Sequence, residues 1–204
     1  MNSLLIRNIF TNKRTALLLV YILIMSCCFV CFNDYSIVDV VYKISFNCFL
    51  IVPVALILSI IVLNDLSKNI EIQQRFTRKR EYATQIIKIL LVSFLIITMF
   101  ILFFLLFFRK FKIYNINSLL LIFIKIFTDL LLYSSIIELL SVTISKNITI
   151  IVTIIYIAIT FVFDINILND ITILSITLKL FIAFISYYLF NKLYYLKMFE
   201  GVMK

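Results

Sequence analysis

The 204-residue chain has no histidine, no tryptophan, one glycine and one proline, and only 14% of it is charged. Each scarcity excludes a chemistry. Without histidine there is no HExxH zinc site, no Ser-His-Asp or Cys-His catalysis and no imidazole metal ligand. With Gly201 as the sole glycine there is no Walker A loop, no GxGxxG turn, no GxSxG elbow and no glycine-based helix dimer motif. No catalytic, cofactor-binding or metal-binding residue is expected, and the chain does not read as an enzyme. If it takes part in ATP-driven work, another chain must bind the nucleotide.

What is present is apolar. Hydrophobic residues make up 64% of the chain, and its mean hydropathy is +1.17. Soluble domains are about 45–50% apolar and about 25% charged. A soluble protein of this size could not cover so much apolar surface, so the expected solvent is lipid. The fold class expected is an all-α integral membrane protein, a single transmembrane domain over residues 1–204. A spanning helix needs roughly 20 mostly apolar residues. Six stretches qualify or nearly so: 15–32, 44–63, 89–108, 118–141, 147–163 and 171–191. Their Ile, Val and Thr content does not argue for barrel strands, which are shorter and alternate. No cleavable signal peptide is expected, because the first stretch is too long for an h-region and no small-residue cleavage site follows it.

The formal charge of +9 suggests nucleic acid in a soluble domain. Here the lysines and arginines instead sort by side. Arg7, Lys13, Arg14, Lys68, Arg75, Arg78, Lys79, Arg80, Lys88, Lys146, Lys192, Lys197 and Lys204 fall on one side of the six spans. Only Lys43, Arg109, Lys110 and Lys112 fall on the other, and Lys125 and Lys179 lie within spans. The positive-inside rule then places both termini in the cytoplasm of a multi-pass cell-membrane protein. The cations meet lipid head groups, and no nucleic-acid partner is expected.

Two cytoplasmic stretches stand out. Near the start, Leu5, Ile6, Ile9 and Phe10 share a helical stripe opposite Arg7 and Arg14. That pattern suits an interfacial helix lying on anionic lipid, or a plain basic flank. Residues 64–88 hold the longest polar stretch, with Phe76 rimmed by Arg75, Arg78, Lys79 and Arg80. An aromatic among arginines is a common anchor for a soluble partner, although the cations alone also enforce topology. Thr77 is placed to cap a helix running into the third span.

These two stretches carry a resemblance. Leu5 to Leu19 (LIRNIFTNKRTALLL) and Gln74 to Leu90 (QRFTRKREYATQIIKIL) are similar to the corresponding regions of small permease subunits of type-2 ATP-binding-cassette exporters. The six-span plan with small outer loops resembles that family over the whole chain. The resemblance implies a cytoplasmic coupling helix between spans 2 and 3, around Glu71, Gln74, Arg75, Phe76 and Arg78, seated in a groove of a separate ATPase. It also implies ATP and Mg on that ATPase and a second permease subunit, identical or not. Unlike many members, this chain lacks glycine and proline near the outer ends of spans 5 and 6, where that family often has re-entrant outer helices.

Charges inside spans are expensive and carry function by default. Lys125 and Asp129 lie four apart on span 4, and Glu138 lies nine further on, near enough to the cytoplasmic end to reach water. Lys179 on span 6 has no acid on its own helix, and Asp129 is its natural partner in competition with Lys125. Two readings stay open: a polar substrate path, or a structural ion pair with both lysines snorkelling to the interface. Asp129 and Glu138 are more than about 10 Å apart along the helix, too far to act as a catalytic pair.

Lesser features complete the inventory. Pro53 within span 2 cannot donate to the carbonyl of Phe49, so a kink or a rearranged hydrogen-bond pattern is expected. Cys27, Cys28, Cys31 and Cys48 read as small hydrophobes, with a disulfide from Cys48 to a span 1 thiol left open. Arg109, Lys110 and Lys112 beside Phe111, Ile113 and Tyr114 read as an outer interfacial anchor. With glycine nearly absent, Ser134, Ser135, Ser141, Ser145 and Ala158 are the candidates for close helix packing.

The function expected is the membrane half of an exporter of an amphipathic or hydrophobic substrate, such as an antimicrobial or toxin peptide, including export for self-immunity. The alternatives are a non-transporting immunity or assembly protein, and the membrane substrate-binding subunit of an uptake system. The latter usually shows small-residue docking patches, and alanine is scarce here.

Overall fold

A computed structural model describes residues 13–31, 37–68, 78–108, 116–163 and 172–202. The described residues are helical throughout, apart from short bends, and contain no strand. In order they form α1 (Lys13–Cys31), α2 (Ile37–Tyr42), α3 (Ile44–Phe46), a π-helical turn (Asn47–Ile51), α4 (Val52–Lys68), α5 (Arg78–Phe108), α6 (Ile116–Thr143), α7 (Lys146–Phe163) and α8 (Ile173–Val202). Five helical stretches are long and apolar enough to cross a membrane: Ile44–Ile61, Ile86–Phe103, Leu119–Thr143, Lys146–Phe163 and Ile173–Tyr194. A shorter apolar stretch, Thr15–Cys31, lies on α1.

α6 is the hub. It packs against α8, α4, α5 and α7, while α1 packs against α5 and α4. The aliphatic core runs through Leu18, Ile22, Leu50, Val54, Ile96, Ile126 and Leu130. Phe29, Phe46 and Phe100 meet with ring centroids 5.5–6.4 Å apart, tying α1, α3 and α5 together. Tilted and edge-on aromatic contacts of this kind add packing energy beyond the area they bury.

Serine and threonine supply the close contacts and the helix starts. Ser59 donates to the carbonyl of Ser134 at 3.2 Å, bridging α4 to α6. Ser145 accepts the amide of Ile148 at 3.4 Å at the start of α7. At the start of α8, Thr172 and Ser175 accept each other's backbone N–H at 3.1 and 3.2 Å. This is a reciprocal cap with serine in the usual glutamate position. Ser134 and Ser135 are buried as expected of packing residues, but Ala158 is exposed, and Ser26, Ser59 and Ser93 are fully buried instead.

Two boundaries differ from the sequence reading. The stretch before span 2 contains α2, whose Val40 and Val41 are buried in the core. Residues 64–68 end α4, and α5 runs unbroken from Arg78 into the third apolar stretch, as expected of a helix that starts after Thr77; residues 69–77 of the expected coupling segment lie outside the described residues. α8 continues past residue 191 to Val202. Thr77, immediately before α5, lies outside the described residues, as does the expected interfacial stripe of Leu5, Ile6, Ile9 and Phe10.

Candidate functional site

The site is built on α6 by helical spacing. Lys125 and Asp129 lie one turn apart, so their side chains share a face. The Lys125 Nζ donates to Asp129 Oδ2 at 2.9 Å. From α8, Lys179 Nζ donates to Asp129 Oδ1 at 2.6 Å. The two lysines do not compete, because the carboxylate offers one oxygen to each. Lys125 is 1% exposed, Asp129 2% and Lys179 1%. The lysines therefore do not snorkel, since neither ammonium extends past its own helix to the surface.

Two further residues complete the site, and sequence reasoning missed both. Asn47 Oδ1 accepts from Lys125 Nζ at 3.4 Å. The Tyr42 ring lies 5.9 Å from the same nitrogen, within cation–π range. Asn47 opens the π-helical turn, where the amide of Val52 bonds back to its carbonyl. Such one-turn bulges recur at functional sites. The signal was present: a lone Asn in an apolar stretch, six residues before the chain's only proline.

The same turn resolves the proline. Pro53 has no N–H for the carbonyl of Phe49, and the backbone has rearranged into the wider turn. The Tyr21 hydroxyl, from α1, donates to that Phe49 carbonyl. One side chain thus satisfies the acceptor that proline orphans, and it pins α1 to the helix carrying Asn47.

Glu138 corrects an expectation. It is 1% exposed, so it is shut off from the solvent around the bundle. It lines a cavity of about 20 Å³ with Ser134, Ser135, Ile86, Ala183 and Tyr187, room for one water molecule. The cavity and the cluster together show that α6 and α8 run in the same direction. Asp129 faces Lys179, and further along both helices Ser134 and Glu138 line the cavity with Ala183 and Tyr187.

The α8 seam reads Ser175, Lys179, Ala183, Ser186 and Phe190, all buried at three- and four-residue spacing. Small residues let the two backbones approach, and that approach brings Lys179 to Asp129.

Glu71, Gln74, Arg75 and Phe76 lie outside the described residues, and of Arg78 only its place in the first turn of α5 is described. Arg109, Lys110 and Lys112 also lie outside them. The four cysteines are free thiols, with Cys27 and Cys31 Sγ atoms 4.0 Å apart along α1. Among the described residues, no three His, Cys, Asp or Glu side chains converge on a point that could hold a metal. No family model, curated protein or solved structure matches the chain. The chemistry of the site is therefore read from its own residues.

Proposed function

We propose that the chain is the permease subunit of an ATP-driven exporter, with six spans and both termini in the cytoplasm. The observation that carries this reading is the Lys125–Asp129–Lys179 cluster at the heart of an apolar helical bundle. A passive anchor has no need of three ionisable groups at that depth, where each is costly. A bundle whose helices part and close again has a use for them, because a polar seam can exchange protein partners for substrate or water. The closing contact joins α6 to α8, and its separation is the motion the reading requires.

The remaining parts rest on the resemblance. A separate ATPase binds ATP and Mg and presses on Glu71, Gln74, Arg75, Phe76 and Arg78. A second permease subunit completes the path, and the cargo is amphipathic or hydrophobic. The closed cluster favours one alternative, a non-transporting immunity or assembly protein in which Asp129 only clamps two helices.

The test is co-purification from native membranes in mild detergent. The exporter reading expects an ATPase chain to travel with the protein, and expects Arg75→Ala with Phe76→Ala to release it. Retention of no ATPase by the unaltered protein, or full activity of the chain alone in liposomes, overturns it. Lys179→Leu then separates the two readings: normal assembly with unchanged export removes the cluster from the path.

A further inference from the structure

The four cysteines read from sequence as small hydrophobes, and the buried cluster makes no use of them. Two of them are arranged as a pair. Cys27 and Cys31 lie one turn apart on α1, so their side chains share a face, and their Sγ atoms are 4.0 Å apart. Cys27 is half-buried and Cys31 exposed, and both are free thiols. Cys31 closes both α1 and its apolar stretch Thr15–Cys31. The pair therefore stands at an end of that stretch, where an ion from water can reach it.

The spacing decides what such a pair can do. A disulfide needs Cβ atoms about 3.5–4.5 Å apart and a sulfur–sulfur bond of about 2.0 Å. Residues four apart on a helix hold their Cβ atoms about 5–6 Å apart, so the two thiols cannot close on each other while α1 stays helical. An ion between them meets no such obstacle. Metal–thiolate bonds of about 2.3 Å from both sulfurs span up to about 4.6 Å when collinear and less when bent. The observed 4.0 Å lies inside that range.

The number and softness of the donors choose the ion. Structural zinc takes four ligands, and iron–sulfur clusters take four cysteines. Among the described residues no three His, Cys, Asp or Glu side chains converge. Calcium and magnesium take oxygen ligands. Two sulfurs suit a soft ion that accepts two ligands, and soft sulfur donors select Cu(I). Cys28 lies about 100° round the helix from Cys27, and Cys48 is buried in the π-helical turn.

We propose that Cys27 and Cys31 form a two-coordinate site for Cu(I). Each sulfur releases its proton to water and donates an electron pair to the copper. Two S–H bonds break and two S–Cu bonds form. The copper enters and remains as Cu(I), so nothing is oxidised or reduced. The bound ion bridges the last turn of α1. This inference concerns α1 alone and holds whether or not an ATPase drives the chain.

The experiment uses the full chain in lipid nanodiscs, kept anaerobic with ascorbate, with Cu(I) supplied as its coloured bicinchoninate complex. The protein is expected to withdraw one equivalent of copper, read as loss of the complex's colour. X-ray absorption of the loaded protein should show two sulfur neighbours around the copper. Cys27→Ser and Cys31→Ser should each abolish the withdrawal, whereas Cys28→Ser and Cys48→Ser should leave it unchanged. The absorption spectrum needs no variant, so it decides the matter where a serine variant fails to fold. The proposal is overturned if the unaltered protein withdraws no copper, or if folded Cys27→Ser or Cys31→Ser withdraws as much as the parent. Loss of withdrawal in folded Cys28→Ser or Cys48→Ser, or a copper with other than two sulfur neighbours, places the ion elsewhere and overturns it as well.

Discussion

α6 and α7 are consecutive helices of equal mean hydropathy, yet 56% of the apolar stretch of α6 is buried within the bundle and only 11% of that of α7. The difference lies in their polar residues. α6 carries Lys125, Thr128, Asp129, Ser134, Ser135 and Glu138, all buried, on several faces. α7 confines its buried polar groups to Thr149, Thr153 and Thr160, one narrow stripe along the helix. Its other faces present Ile151, Ile154, Ile155 and Val162 outwards. In water, hydrophobicity separates inside from outside. In lipid the outside is as apolar as the core, so helix association rests on packing and hydrogen bonds, and polar residues mark the buried faces.

The strongest way to break this comparison is to remove the acid at the centre of α6. Asp129→Leu leaves two lysines without their carboxylate, and removing one partner of a buried ion pair costs about 3–5 kcal/mol. The expected result is loss of most folded protein, read by thermal unfolding in detergent. Asp129→Asn keeps the volume and an acceptor oxygen and should fall between. If Asp129→Leu unfolds at the same temperature as the parent, the cluster is not what holds α8 to α6.

How legible this was depends on the level. The helical class followed from composition alone, and the Lys125–Asp129 pair followed from i,i+4 spacing. Lys179 points to Asp129 because the apolar run 171–191 offers it no acid. What could not be read was anything set by three-dimensional approach. A carboxylate with two oxygens can serve two lysines at once, but spacing along one helix shows only one partner. Glu138 reads as close to water when distance along α6 is measured to the end of an apolar run, whereas its exposure is set by Tyr187 and Ala183 arriving from α8. Asn47 went unnoticed because its role depends on the π-helical turn, and proline predicts a disturbance without its direction.

That turn provides a second, smaller test, now on the well-packed side of the comparison. Tyr21→Phe removes only the hydroxyl that reaches the Phe49 carbonyl, leaving that backbone acceptor without its donor at a cost of about 1–3 kcal/mol. Pro53→Ala restores a backbone N–H at the position that normally serves that carbonyl. The two changes should be strongly non-additive: in the Pro53→Ala background, loss of the hydroxyl should cost about 1 kcal/mol less than it does beside the proline. Unfolding temperatures of the four proteins of this cycle decide the matter. Equal effects of Tyr21→Phe in both backgrounds mean that the hydroxyl contributes by packing and not by replacing the proline's missing donor.

The smallest effects are expected on α7, and they sharpen the comparison most. Thr153 is 5% exposed, but its hydroxyl donates to the Thr149 carbonyl of its own helix at 2.8 Å. That carbonyl keeps its amide donor when the hydroxyl goes, and valine fills the same space. Thr153→Val should therefore cost about 0.6 kcal/mol or less. Ile154 is 58% exposed, and Ile154→Ala should move stability by no more than about 0.5 kcal/mol in the isolated chain. The same variant reads what covers the outer face of α7. Against lipid, the missing methyl groups are replaced by acyl chain and nothing is lost. Against a second protein subunit, they leave a cavity costing about 2–5 kcal/mol. A variant neutral in the isolated chain but severely weakened in the assembled complex would identify α7, despite its shallow burial, as the interface helix.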